Sequence, residues 1–242
     1  MARTLQTFVE PPRACSYLPA ELASLEHRVM VDVTPQELEA MLIRGWRRFG
    51  PIYFRPVCEA CTECVSIRIP VAGFRPSRSQ RRASKACSSL TWKMAPPIVD
   101  KKRLALLERW HSFREEKKGW EAQALDADEY TLQFAFPHPA AREITFWEGD
   151  VLVGVSLVDI TPNAWSAVYF FYDPSIADRS PGIHNVVLGV ELARERKIPY
   201  VYLGYRVLGC PSMTYKCTFT PHELLRERPP LDEEPRWLPT DP

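Results

Sequence analysis

The sequence predicts a mixed fold of the α+β or α/β class, with a cysteine-containing N-terminal α+β half and a second half built on a mostly antiparallel sheet. Three observations predict it. Apolar residues recur at helical spacing in three segments, short strand-like runs alternate apolar and polar residues, and turn residues separate those runs. With 242 residues, 45% of them hydrophobic, the chain can form one large core or two small ones.

The first half is predicted to cover residues 1–95 and begins with an extended, proline-containing arm. Thr34 precedes Pro35 and Glu37, which is the pattern of a helix N-cap with a capping box. Two strand-like runs then follow, on either side of the cysteine-containing segment 58–64. Runs joined in this way predict a hairpin-like unit.

The second half is predicted to cover residues 96–228, after a proline-rich join at 95–99. It begins with a helix over about 101–118, continues through three strands joined by tight turns, and ends with a loop, a helix over 183–196 and a last strand. This is the element order of an acetyltransferase-like (GNAT) domain with a mixed, mostly antiparallel sheet. The proline-rich residues 229–242 are predicted to form a tail.

Charge and composition exclude several classes of protein. There are 31 basic and 30 acidic side chains, so the formal net charge is +1 and any contact with RNA must come from a local basic segment. Neither a signal peptide nor an apolar run of the roughly 20 residues that span a bilayer is visible. An odd number of cysteines argues against a secreted disulfide framework. We therefore expect a cytoplasmic protein with reduced thiols and no membrane contact.

The segment 201–218, VYLGYRVLGCPSMTYKCT, predicts a ligand cleft. An apolar strand meets Gly204, and the pair Tyr215 and Lys216 follows a polar stretch. A buried strand that ends beside a lone cation is a common floor and rim of such a cleft, although a plain loop with a solvated lysine has the same pattern. Asp173 ends another apolar run, so its carboxylate is expected in the same cleft, unless it only starts a turn with the proline that follows.

Two further segments carry basic residues that suit anionic ligands. Arg179 and Gly182 lie in a loop before a helix. The backbone N–H groups at such a helix N-terminus can bind phosphate. The alternative is that this loop is an ordinary helix cap. The loop has too few glycines to resemble a coenzyme A loop. The run 74–82, FRPSRSQRR, has no acidic residue. Its arginines suit phosphates or a carboxylate, or form a solvated turn.

The N-terminal cysteines have metal-ligand spacing. Cys58, Cys61 and Cys64 are separated by two residues each, and Cys15 lies in the arm. Four thiolates in this arrangement can hold zinc or an iron–sulfur cluster. The alternative is that they are free thiols that order the predicted hairpin. No other cofactor is required.

The motifs CSYLP, RPVCEACTEC, FRPSRSQRR, FYDP and YVYLGYRVLGCPSMTYK occur in this order over nearly the whole chain. Together they resemble the aminoacyl-tRNA–protein transferases, and among them the bacterial leucyl-transferring branch. The resemblance implies that leucine passes from leucyl-tRNA to the N-terminal amine of proteins that begin with Asp or Glu, which creates a degradation signal. An arginyl donor and a coenzyme A-dependent acyltransferase remain as alternatives.

The resemblance also implies roles for individual residues. The expected catalytic residues are Asp173, Lys216 and Tyr215: Asp173 would hold or deprotonate the incoming amine, and Lys216, next to Tyr215, would offset charge on the carbonyl oxygen or on the tRNA. Arg78 and Arg81 would bind the acceptor's carboxylate. The other residues assigned to substrate binding are Arg75 and Arg82, for RNA, and Tyr172, Arg179, Gly182 and Tyr205.

Overall fold

The structure is a computed structural model that describes residues 1–118 and 126–240. The strands within these residues are, in chain order, β1 (Arg3–Val9), β2 (Arg13–Ala14), β3 (Leu22–Ala23), β4 (Leu25–Val31), β5 (Arg47–Phe49), β6 (Ile52–Pro56), β7 (Val65–Pro70), β8 (Thr91–Ala95), β9 (Ala141–Glu148), β10 (Val151–Ile160), β11 (Ala164–Tyr172), β12 (Tyr200–Arg206), β13 (Glu223–Arg226) and β14 (Arg236–Pro239). The α-helices are α1 (Pro35–Leu42), α2 (Arg78–Ala86), α3 (Lys101–Lys118), α4 (Ala127–Tyr130), α5 (Pro181–Glu195) and α6 (Pro211–Thr214). Short 3₁₀ turns occupy Pro174–Arg179 and Tyr215–Thr218, and a π-helical turn occupies Thr131–Ala135.

An eight-stranded sheet, ordered β14-β13-β7-β12-β11-β10-β9-β8, forms the centre of the molecule. Only the β11–β12 pair in it is parallel among the described strands. The predicted mixed, mostly antiparallel sheet is therefore confirmed. The predicted order of helix, three-strand meander, loop, helix and strand is also confirmed, as α3, β9–β11, the 3₁₀ turn, α5 and β12.

The predicted hairpin on either side of the cysteine segment is wrong. β6 belongs to a second sheet, ordered β1-β4-β6-β5, whereas β7 pairs with β12 and β13 in the large sheet. The physical reason is burial. Ile67 and Ile69 on one face of β7 and Ser66 and Arg68 on the other are all buried, so β7 is covered on both faces, as a central strand is. The segment between β6 and β7 is a crossover.

The large sheet takes strands from each of the three predicted segments. β7 and β8 come from residues 1–95, yet they pair with strands of the second half. β14 comes from the proline-rich tail and pairs with β13. There the Trp237 ring lies 4.2 Å from the Arg68 guanidinium, which helps to bind this edge strand to the sheet.

The small sheet is fastened to the large one by buried polar contacts. Arg48 of β5 donates to both carboxylate oxygens of Asp159 on β10, and both side chains are buried.

The predicted capping box of α1 is confirmed: Glu37 N donates to Thr34 Oγ1 at 3.2 Å, and Thr34 N donates to the Glu37 carboxylate at 2.9 Å. No helix in the described ranges is long and apolar enough to cross a bilayer.

The two faces of the large sheet are covered by different helices. Successive residues of a strand point to opposite faces. On β10, Leu152 packs in one core with Leu106 of α3, and the next residue, Val153, packs in another core with Val187 of α5. Because α2 packs along α5, one face is covered by α3 and the other by α5 and α2.

Candidate active site

A cleft opens in the large sheet where β11 and β12 separate. The two strands pair only from Ala164 to Ser166 on β11, and beyond that point β12 turns away at Gly204, whose φ is +79°. Glycine adopts this backbone conformation without strain. The resulting cavity has a volume of 680 Å³ and is lined from both faces of the sheet, by residues of α3 such as Trp110 and residues of α5 such as Ile183.

Arg47 of β5 lies between the separated strands. It donates from Nη1 to Ser166 Oγ at 2.8 Å and from Nη2 to the Ala167 carbonyl. A Cβ atom at Gly204 would lie 3.6 Å from Arg47 Nε, so the guanidinium spans from β11 to β12. Ala167 follows Ser166, the last residue of β11 that pairs with β12, so Arg47 satisfies a carbonyl beyond the end of that pairing. Sequence reasoning missed Arg47, whose only signal is the Arg-Arg pair in a short strand.

Lys216 lines the cleft from the β12 side. The 3₁₀ turn Tyr215–Thr218 places its Nζ 2.7 Å from the Tyr205 carbonyl oxygen, and the side chain is buried. Burial, together with the nearby positive charge of Arg47, lowers the pKa of Lys216 to about 7. A substantial fraction of this amine is therefore neutral at physiological pH, which is the state that can accept a proton.

The described residues that line the cleft include basic side chains but no acidic ones. Among the described residues that line it, the charged side chains are Arg114 of α3 and Lys216, and none is acidic. The other walls are largely apolar or aromatic, and they include the predicted residues Tyr172 and Tyr215 together with Gly182. Such a cleft favours an apolar substrate group next to an anionic one.

Asp173 and Arg179 lie outside the cleft lining. Asp173 caps the 3₁₀ turn by accepting from Ser175 N at 3.0 Å, and it forms an ion pair with Arg109 at 2.9 Å. Partial burial would by itself raise the pKa of Asp173, but the hydrogen bonds from Ser175 and Arg109 outweigh it and lower that pKa. Arg179 forms an ion pair with Glu148 at 2.7 Å.

The basic run folds as a helix rather than a turn. Ser77 caps α2 and Gln80 returns the hydrogen bond, with Ser77 N 2.8 Å from Gln80 Oε1. This S-x-x-Q capping box is the local sequence signal for the start of α2. Gln80 also donates to the Thr218 carbonyl at 3.0 Å, so α2 stands next to the turn of Lys216. The four predicted arginines are exposed beside the cleft, and none of them lines it; they are Arg75, Arg78, Arg81 and Arg82.

The four predicted cysteine ligands line a separate cavity of 110 Å³ together with Tyr205. All are free thiols, and burial, with a smaller contribution from Cys58, raises the pKa of Cys64 to about 12. Within residues 1–118 and 126–240, no group of three or more His, Cys, Asp or Glu side chains is arranged to hold a metal ion.

Two tyrosines also line this cavity. Tyr205, predicted to bind substrate, donates its hydroxyl to the Gly45 carbonyl at 2.8 Å. Tyr17 lines both this cavity and the cleft.

Comparison with known proteins agrees with this architecture. Residues 102–226 match the family model described as arginine-tRNA-protein transferase, C terminus, and residues 13–82 match its N-terminal counterpart. The chain belongs to this family. It is 34% identical over 234 residues to the aspartate/glutamate leucyltransferase of Helicobacter hepaticus, covering 96% of this chain and 97% of that one. With the protein of the same name from Chromohalobacter salexigens it shares 35% identity over 236 residues, covering 94% and 93% of the two chains.

The resemblance predicted from the sequence motifs is thus confirmed, and this family member is an aminoacyl-tRNA–protein transferase. The two family matches include β5 and the Cys58–Cys64 segment in the first range and the strands and turn of the cleft in the second. The cleft is accordingly built from both matched regions, because Phe49 lies in one and Lys216 in the other, and both line it.

Proposed function

We propose that this enzyme transfers leucine from leucyl-tRNA to the N-terminal amine of proteins that begin with Asp or Glu. One observation carries the proposal: the cleft joins an apolar, aromatic lining to two basic side chains, Arg114 and Lys216, and contains no acidic side chain among its described residues. The full-length relatives bear the name aspartate/glutamate leucyltransferase. Leucine added to such proteins would serve as their degradation signal. Since charged tRNA is a cytoplasmic molecule, the reaction would take place in the cytoplasm.

The charge of the cleft favours leucyl over arginyl donors. An arginine side chain would bring a second guanidinium next to Arg114 and close to the basic Lys216, and none of the described residues that line the cleft is acidic to offset it. A leucine side chain instead buries its methyl groups against apolar residues such as Val168 and Leu203. Leucine is therefore the donor that fits both the shape and the charge of the lining.

The reaction is aminolysis of an ester that is already activated. The acceptor's α-amine attacks the leucyl carbonyl carbon, a C–N bond forms, the C–O bond to the tRNA ribose breaks, and the ribose oxygen takes up a proton. The protein must therefore position both substrates and move one proton from nitrogen to oxygen. No covalent enzyme intermediate is needed.

Lys216 is the group best placed to move that proton. It lines the cleft, and its pKa of about 7 lets it accept a proton from the amine and return one to the ribose oxygen. Asp173 is poorly suited because Arg109 and Ser175 already hold its carboxylate and it does not line the cleft. We therefore assign the proton transfer to Lys216 and a structural role to Asp173.

The two substrates are proposed to enter from opposite faces of the sheet. The exposed arginines of α2 stand next to α5 and suit the phosphates of the tRNA acceptor stem. The α3 face then remains for the acceptor protein. The amine and the ester meet in the gap between β11 and β12, which connects the two faces.

The test is a donor and acceptor matrix. The protein is incubated with separately charged leucyl-tRNA and arginyl-tRNA and with peptides that begin with Asp, Glu or Ala, and the products are identified by mass. We expect leucine to be added to the Asp and Glu peptides and arginine not to be added. Transfer of arginine at an equal rate would overturn the donor assignment, and transfer to the Ala peptide at an equal rate would overturn the acceptor assignment.

A further inference from the structure

We propose that Tyr215 binds the 3′-terminal nucleobase of the donor tRNA by stacking, at the rim of the cleft. This inference rests on the proposed function and names the site at which the end of the tRNA enters. The ligand is an uncharged, planar base whose own ribose carries the ester.

The position of the ester determines where the terminal base must lie. The leucyl group is attached to the ribose of the last nucleotide, so the base is held only a few covalent bonds from the reacting carbonyl carbon. Lys216, which we assign to proton transfer, lines the cleft, and Tyr215 lines it from the same 3₁₀ turn. An aromatic side chain that binds the base must lie close to Lys216, and Tyr215 meets this condition.

Tyr215 is also accessible. It is 39% exposed, and the other exposed aromatic side chain in the described lining of the cleft is Tyr17, at 37%. Burial nevertheless raises the pKa of Tyr215, so its hydroxyl is less hydrated than the exposed part of the residue. Tyr215 therefore reaches from the rim into the cleft, and a base can approach it from solvent.

The ring of Tyr215 is supported from the α5 side of the sheet. It makes an edge contact with Phe219, with ring centres 6.3 Å apart and ring planes at 78°. Phe219 is fully buried in the core that includes residues of α5, and its ring centre lies 6.3 Å from that of Phe74. Because an edge contact covers at most one face of a tyrosine ring, this packing fixes the ring without covering both of its faces.

The turn that carries Tyr215 stands next to the surface proposed for the tRNA phosphates. Gln80 of α2 donates from Nε2 to the Thr218 carbonyl at 3.0 Å. Tyr17, by contrast, belongs to the N-terminal arm and also lines the cysteine cavity. A tRNA whose acceptor stem lies on α2 can therefore present its last base to Tyr215 while its ester lies at Lys216. Stacking on an aromatic ring binds any base and needs no charge on the ligand.

The test measures stacking directly and through the kinetics of the donor. Wild type, Tyr215→Leu and Tyr215→Phe are titrated into uncharged tRNA whose terminal adenine is replaced by 2-aminopurine, a base whose fluorescence falls when it stacks. Wild type and Tyr215→Phe should quench this fluorescence, whereas Tyr215→Leu should not. Tyr215→Leu should also raise the KM for leucyl-tRNA about 5- to 150-fold, the loss of one base–aromatic stack. Tyr215→Phe should stay within about threefold of the wild type.

Two further readouts separate this site from the other contacts. The salt dependence of log Kd for tRNA should not change in Tyr215→Leu, because no phosphate contact is lost, and the Asp over Asn preference should not change either. Trp92→Leu is the matched control. Trp92 is 41% exposed and lies on β8, which β9, β10 and β11 separate from β12, so this variant should keep the wild-type KM and quenching.

The outcomes distinguish the possible failures. Quenching and KM that are unchanged in Tyr215→Leu, or that change in Tyr17→Leu alone, would overturn the role of Tyr215. A transfer rate that falls in Tyr215→Phe as far as in Tyr215→Leu would make the hydroxyl the functional group and would also overturn it. Transfer of arginine instead of leucine by the wild type would contradict the proposed function, yet the quenching would remain as expected, because every tRNA ends in adenosine. If Tyr215→Leu does not fold, as judged by its thermal melt, Tyr215→Met replaces it with the same expected results.

Discussion

The two faces of the large sheet present their positive charge in different ways. On the α5 face, the arginines of α2 are exposed and spread along a helix. On the α3 face, Arg114 is the one arginine among the described residues that line the cleft, and it lies beside the Trp110 ring. Exposed charges suit a polyanion, whose many phosphates release counterions on binding, whereas one enclosed charge suits a single carboxylate.

The gap between β11 and β12 joins these faces, and the N-terminal sheet contributes to it. Arg47 reaches from β5 into the gap and bonds to Ser166 and Ala167. We therefore infer that substitutions on one face can change donor recognition without changing acceptor recognition, and the reverse. Changes at the gap itself should affect the chemical step for every pair of substrates.

The largest effect is expected at the gap. Lys216→Arg keeps a positive charge but removes the proton acceptor, so single-turnover transfer should fall about 10²–10⁴-fold while leucyl-tRNA still binds. The wild-type rate should rise with pH through about 7, where Lys216 loses its proton, and through about 8, where the acceptor amine does. In the variant only the second rise should remain. A variant that keeps both the wild-type rate and the wild-type pH profile would contradict the assignment.

The next effect is expected on the α5 face. Arg78→Glu with Arg82→Glu should weaken leucyl-tRNA binding and reduce the salt dependence of log Kd by about one per lost phosphate contact. The preference for Asp over Asn peptides should not change, because neither arginine lines the cleft. Arg236→Glu, an exposed change on β14, serves as the control for charge alone. Loss of the Asp preference in the double variant would place acceptor recognition on α2, as the sequence resemblance implied.

The sequence predicted the fold better than the site. The alternation of β9–β11 and the caps of α1 are local patterns, so they were visible in the chain. The crossover from β6 to β7 was not, because a strand buried on both faces follows from pairing with β12, about 130 residues later. The predicted sequence of elements was therefore right, although one connection was wrong.

The cleft was predictable only where its residues follow a strand. Tyr172 and Lys216 were found because one ends an apolar run and the other follows one, whereas Gly182 was found in the loop before a helix. Arg47 and Arg114 reach the cleft from other elements, and a charged residue within a strand or helix looks like ordinary surface in a sequence. Asp173 shows the opposite case, since its position after β11 was inferred correctly but its partner Arg109 was not visible.

A smaller effect is expected at Asp173, next to the cleft. If this carboxylate accepted the amine's proton, Asp173→Asn would lower transfer about 10²–10⁴-fold. In the structure it caps a 3₁₀ turn, and Asn caps about as well as Asp. We therefore expect a change of less than about tenfold, with a modest fall in melting temperature from the lost ion pair with Arg109. Arg109→Gln removes the same ion pair and should behave alike, whereas a large loss confined to Asp173→Asn would return the proton transfer to Asp173.

The smallest effect on substrate choice is expected at the cysteine cavity, which meets the cleft only through Tyr17 among the residues described. We propose that reduced protein takes up one zinc ion per chain when the four thiols Cys15, Cys58, Cys61 and Cys64 draw together. Uptake should release protons, because the Cys64 thiol, with a pKa of about 12, must ionise to bind metal.

Cys61→Ser should lower zinc uptake, measured by elemental analysis after dialysis, whereas Cys217→Ser, outside this group, should not. Neither change should alter the Asp over Asn preference or the affinity for leucyl-tRNA, because the described linings of the cavity and of the cleft share only Tyr17. Equal zinc uptake by wild type and Cys61→Ser would remove the metal proposal. A shift of acceptor preference on zinc binding would show that Tyr17 couples this cavity to the cleft, and the two faces would then not be independent.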